Sequence, residues 1–195
     1  MTDTKTLILG IGNTLLSDEG VGIHVLQALQ ARYPQIENVE YLDGGTLSFS
    51  LASWIETADR LIVLDAAEFH QPPGTVRILR NEEMDRFLGL PRRSVHEVSL
   101  LDLLDIARLT ECLPEPRVLI GIQPEIVDWG EYPSTAVAAA IPQAVKEIEQ
   151  QLRQWNHLFV QEGSSQDGAV QDAATQDSVL QGNSTQNEGQ HEQSA

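Results

Sequence analysis

The chain has 195 residues, of which 41% are hydrophobic, and a formal net charge of −17. That suits one domain with a buried core, and no apolar run approaches the roughly 18 residues of a membrane span. The charge argues against nucleic acid and anionic membranes as partners, and the single cysteine, Cys112, excludes an internal disulfide framework and a thiolate-rich zinc site.

Met1 to Thr6 is short and polar and runs directly into an apolar segment too brief for a signal peptide, so a cytoplasmic location is expected. Thr6 to Ile11 reads as a buried parallel strand ending at Gly10-Ile11-Gly12. Val21 to Leu29 has helical spacing and stops near Tyr33-Pro34. Asn38 to Leu42 is a second strand, closed by Asp43-Gly44-Gly45, and Leu47 to Ile55 is helical. Leu61 to Leu64 is the third strand, with Asp65 at its end. Thr75 to Leu79 is the fourth, a candidate antiparallel edge, and Glu82 to Leu88 is a short helix. Ser99 to Leu109 is amphipathic, Val118 to Ile122 is the fifth strand, and Ser134 to Trp155 is the last helix, with Pro142 as an expected kink.

From residue 161 the composition changes. Glutamines recur every five residues from Gln161 to Gln186, and no Lys or Arg follows Arg153. A period of five gives neither a helical nor a strand stripe. The chain therefore divides into a body, 1–160, and a Gln-rich low-complexity tail, 161–195, expected to be disordered. Within the body, strands alternating with helices imply an α/β fold with a mostly parallel five-stranded sheet covered on both faces.

Ligands of open α/β sheets gather beyond the carboxyl ends of the strands, and four of the five strand exits carry acids. The first leads to Asp18 and Glu19, the second ends in Asp43, the third in Asp65, and the fifth leads to Glu125. His96, before the Ser99 helix, is expected at the same rim. Carboxylates with one imidazole suit a borderline divalent metal, acid–base chemistry, or the bonding of loop backbones. Each acid also has a structural reading: Asp18 as a helix N-cap, Glu19 as a charge favoured by the helix dipole, Asp43 as the closure of the Gly44-Gly45 turn. Asp65 is harder to explain that way, being a charge after four apolar residues. His24, His70, His157 and His191 have no strand-end placement. The glycine loop is not a dinucleotide fingerprint, because Leu15 stands at the third glycine and Asp18 and Glu19 would repel a pyrophosphate.

The segment Gly10-Ile11-Gly12-Asn13-Thr14-Leu15-Leu16-Ser17-Asp18-Glu19-Gly20-Val21-Gly22 resembles the G-x-G-N-x-L-x-x-D-E-x-x-G signature of hydrogenase maturation endopeptidases. Asp43-Gly44-Gly45-Thr46, Leu64-Asp65-Ala66 and Ser94-Val95-His96-Glu97 resemble that family's further motifs, in order, and the likeness runs over residues 6 to 155. The resemblance implies a three-layer α/β/α fold and a hydrolase of aspartic type. Its activity would be removal of a C-terminal extension from the large-subunit precursor of a nickel–iron hydrogenase after nickel insertion. It places Glu19, Asp65 and His96 as the metal-contacting residues, with nickel brought by the precursor. The wording around His96 is similar to the branch serving uptake hydrogenases. Asp43 is a candidate general base, and a monomer is the expected form. Two alternatives remain: a related α/β protease with another substrate, and a non-catalytic nickel chaperone or docking protein.

Overall fold

The structure, a computed structural model, describes residues 4–90 and 99–157. Five strands form one sheet in the order β2-β1-β3-β5-β4. They are β1 (Thr6–Gly10), β2 (Val39–Asp43), β3 (Arg60–Ala66), β4 (Val76–Arg80) and β5 (Arg117–Ile122). β1 pairs parallel with β2 and β3, and β3 with β5, while β4 runs antiparallel along β5 as the edge. The apolar runs of β1, β3 and β5 are central and buried on both faces, as continuous apolar composition requires.

Alternate residues sort the core into two layers. Ile8, Ile62, Leu64, Val118, Ile120 and Ile122 face α1 (Val21–Arg32) and α5 (Thr135–Gln154). Leu7, Leu9, Leu61, Val63 and Leu119 face α2 (Ala52–Glu56), α3 (Glu82–Leu88) and α4 (Leu100–Leu109). The result is the three-layer α/β/α arrangement. α4 begins with a reciprocal capping box, in which Ser99 Oγ accepts from the Asp102 N–H and the Asp102 carboxylate accepts from the Ser99 N–H. α5 is assigned as one helix through Pro142.

The expected helix over Leu47 to Ile55 is shorter. Leu47 has φ +64° and Ser48 is extended, so the chain enters a 3-10 turn at Phe49 and α-helix only at Ala52. β3 runs past its expected end, because Asp65 and Ala66 still pair with Gly121 and Ile122.

At the lower rim, Arg117 (3% exposed) is held by Asp85 of α3, its Nε at 3.0 Å and its Nη2 at 2.6 Å. Arg108 of α4 donates to the same carboxylate at 3.0 Å, so one acid joins two helices to the start of β5. The Asp85 hydrogen bonds and charge raise the Arg117 pKa against its burial. The C-terminal end of α4 lies at this rim too: Thr110 Oγ1 donates to Glu56, and the Glu115 N–H to the Asp59 carbonyl. The strand exits that carry the acids are at the opposite rim. The expected tail, 161–195, lies outside the described residues.

Candidate active site

The site is built on the exit of β1. The Ile11 N–H reaches the Leu64 carbonyl (2.9 Å), the Gly12 N–H the Gly45 carbonyl (2.9 Å), and the Gly44 N–H the Gly10 carbonyl (2.9 Å). These bonds tie the ends of β1, β2 and β3 together. Gly12 then turns the chain at φ +130°, where a Cβ would sit 1.9 Å from the Glu19 carbonyl oxygen, so only glycine fits. The loop folds back far enough for the Asn13 N–H to donate to Glu19 Oε2 at 2.8 Å, while Asn13 Oδ1 accepts from the Leu15 N–H at 3.0 Å. α1 follows at once and lies close on the sheet. A Cβ on Gly22 would meet the Leu64 carbonyl oxygen at 2.2 Å and that of Ile11 at 2.4 Å. A bare backbone at Gly22 therefore lets the segment carrying Glu19 approach the end of β3.

That approach brings Glu19 and Asp65 to one open cleft, lined by Ile11, Gly12, Glu19, Gly45, Thr46, Leu47 and Asp65. Both carboxylates are half-buried. Asp65 follows the strand alternation onto the face that also carries Leu61 and Val63, the face covered by α4. His96, the third expected member, lies outside the described residues; the chain after it enters the structure at Ser99, the N-cap of α4. Among the described residues no three His, Cys, Asp or Glu side chains stand together as a metal-holding set. What the described residues offer an ion is a pair of oxygen donors at a solvent-open edge. This fits a borderline or hard divalent cation that brings other ligands of its own.

Asp43 is exposed and does not line the cleft; its Oδ1 accepts from the Gly45 N–H at 2.9 Å, closing the turn. The turn that Asp43 closes supplies one wall of the cleft.

Asp18 has a role that the sequence reading did not assign. It caps neither the 3-10 turn Ser17–Gly20 nor α1. Wholly buried, it accepts at Oδ2 from the N–H groups of Glu125 (2.8 Å) and Ile126 (2.9 Å) and at Oδ1 from that of Ser134 (2.6 Å). Burial pushes its pKa up, but the backbone donors outweigh burial and hold it below the usual carboxylate value. No local signal marks this role, because its partners lie more than a hundred residues away. Glu125, expected at the rim, is exposed and absent from the cleft lining.

The other histidines are elsewhere. His157 bonds Thr6 Oγ1 (2.8 Å) and the Glu37 carbonyl (3.1 Å), fastening the end of α5. His24 is half-buried on α1, where burial lowers its pKa, and His70 is exposed beside Glu68. His191 lies outside the described residues.

A family model described as hydrogenase maturation protease matches residues 23–151. Hydrogenase expression/formation protein HupD of Bradyrhizobium diazoefficiens is 37% identical over 154 residues, which is 78% of this chain and 80% of that protein. Hydrogenase 2 maturation protease of Escherichia coli K12 is 36% identical over 151 residues, 77% of this chain and 92% of its own. Among solved structures, the hydrogenase maturating endopeptidase HybD from E. coli superposes with TM-score 0.76 at 33% identity, covering 82% of this chain and 98% of that one. The maturation protease HybD from Thermococcus kodakarensis gives TM-score 0.63 at 29% identity, covering 76% and 99%.

Proposed function

The chain belongs to the hydrogenase maturation protease family, and from that premise we propose that it removes the C-terminal extension of a nickel–iron hydrogenase large-subunit precursor once nickel has been inserted. The observation that carries this reading is the meeting of Glu19 and Asp65, 46 positions apart in the chain, at one cleft. The enzyme is a hydrolase. Nickel belongs to the substrate, bound to the precursor, and supplies a Lewis acid beside the scissile carbonyl. Glu19, Asp65 and His96 are the residues that would engage it. The Asn13 N–H holds one Glu19 oxygen in place, and Asp65 stands on a paired strand, so both donors are set before substrate arrives.

Gly45 and Thr46 line the cleft with backbone that an extended substrate can approach closely. Asp43, bonded through one oxygen to the Gly45 N–H of that wall, is the proposed acceptor of the water proton. A site with few ligands of its own makes cleavage depend on metal already in the substrate, so processing checks nickel loading. The likeness around His96 and to HupD supports a substrate from the uptake-hydrogenase branch. Processing would take place in the cytoplasm, with a monomer as the working form. An exposed free thiol, Cys112, suits a reducing compartment.

The test mixes purified protein with nickel-loaded and nickel-free precursor and measures product masses. Shortening of the loaded precursor alone is expected. Shortening of neither, with nickel retained by the protein, would make it a chaperone instead. His96→Ala should abolish cleavage with an unchanged far-UV spectrum, and full processing by that variant would remove His96 from the site.

A further inference from the structure

The segment between Pro124 and Ser134 is firmly bonded, yet it turns its large apolar side chains outward. Its backbone is zipped to the site loop: the Ser17 N–H donates to the Gly130 carbonyl (2.8 Å), the Gly130 N–H to that of Leu15 (3.0 Å), and the Asp18 N–H to that of Ile126 (3.2 Å). The Asp18 carboxylate adds three further bonds, and Ser17 Oγ donates to the Asp128 carbonyl. Trp129 is nevertheless 80% exposed, Tyr132 79%, Val127 59% and Ile126 49%, and Leu15 on the facing loop is 51% exposed. Two aromatic and three aliphatic side chains held in water by a fixed backbone forgo the stabilisation that burial would give. Apolar exposure concentrated in this way marks an interaction surface.

The charge around them indicates the partner. No Lys or Arg occurs between Arg117 and Lys146, and Glu125, Asp128 and Glu131 stand exposed among the apolar residues. An apolar ridge interleaved with acids complements an apolar patch bordered by bases. A second copy of this chain would set like charges against each other. The position indicates which basic partner: the loop from Leu15 to Asp18 that carries this strap continues directly into Glu19 at the cleft.

We propose that the strap 125–132, with Leu15, is the docking surface for the folded body of the precursor whose extension the cleft cuts, a partner presenting an apolar patch edged by Lys or Arg. The assignment rests on the protease reading above. It separates holding the partner, done by the strap, from cutting it, done at the cleft.

Steady-state cleavage of nickel-loaded precursor by the full chain tests this. Ile126→Ser, Trp129→Ser and Tyr132→Ser should each raise KM about tenfold, as loss of an aromatic or aliphatic anchor does, with kcat within about twofold of wild type. Added salt should raise the wild-type KM, and Glu131→Lys should flatten that dependence. Leu109→Ser is the control: Leu109 is 85% exposed at the far rim and should leave KM unchanged. Unchanged KM in all strap variants of a cleaving enzyme overturns the docking surface and leaves the protease reading intact. So does a wild-type dimer that Trp129→Ser dissociates, since the strap would then be a self-association surface. A wild type that does not cleave loaded precursor overturns both.

Discussion

Asp18 and Glu19 are neighbours with the same charge and different work. Glu19 reaches the cleft, where the Asn13 N–H donates to it, while Asp18 turns inward and accepts from the N–H groups of Glu125, Ile126 and Ser134. The difference follows from environment: a buried carboxylate persists only if donors replace its water. Asp18→Asn puts an amide donor where two N–H groups already point, and should lower stability at pH 7 by about 1–3 kcal/mol in urea unfolding. The folded pKa of Asp18 is depressed, so its contribution is complete above the ordinary carboxylate value of about 3.9 and is lost as pH falls through the lower folded value. The gap between wild type and variant should therefore narrow below about pH 4. A gap independent of pH would mean that the carboxylate charge does not hold the strap. At this scale Asp65 was legible in the sequence, because a charge after Leu61-Ile62-Val63-Leu64 has no cheap structural explanation. Asp18 was not, because nothing local announces a partner at Glu125, Ile126 or Ser134.

The site depends on how closely α1 sits against β3. The contact runs through Gly22, whose missing side chain leaves the Leu64 and Ile11 carbonyl oxygens room. Gly22→Ala should force the helix away, costing about 1–3 kcal/mol as overpacking does. It should also slow processing of loaded precursor at concentrations well above KM, because Glu19 moves away from Asp65. Wild-type kcat in a destabilised variant would show that the spacing of the two carboxylates does not depend on this contact. Element positions were largely readable. Glu82–Leu88 has the expected bounds, and the Ser99 N-cap starts α4 where expected. The helix after β2 begins later than its apolar spacing predicts, because Leu47 adopts a left-handed conformation that no periodicity reveals.

For the whole molecule, the two-face burial of β1, β3 and β5 organises everything else. It forces helices onto both faces, parallel pairing sends the exits of β1, β2, β3 and β5 to one rim, and the antiparallel β4 is an edge that contributes nothing there. Among the described residues no helix is long and apolar enough to cross a membrane. The tail from 161 carries six of the 29 acids and few large apolar residues, so its composition offers a core little to bury. A chain ending at Val160 should keep its Tm within about 2 °C of full length, under ~1 kcal/mol, and process loaded precursor at the same rate. A larger drop in either would give the tail a structural or docking role.

By itself the sequence determined the α/β class, the order of the strands along the chain, the glycine loop and the acids at the strand exits. Apolar runs, helical spacing and turn residues act over a few positions, and those are printed in the chain. Only the tertiary structure decided which acid faces the cleft and which is consumed in holding a loop, and that the strap after β5 turns its aromatics to water. Those outcomes depend on the close approach of Gly22 to Leu64 and on hydrogen bonds to Asp18 from backbone more than a hundred residues away, and no local pattern encodes which distant backbone will meet a given side chain.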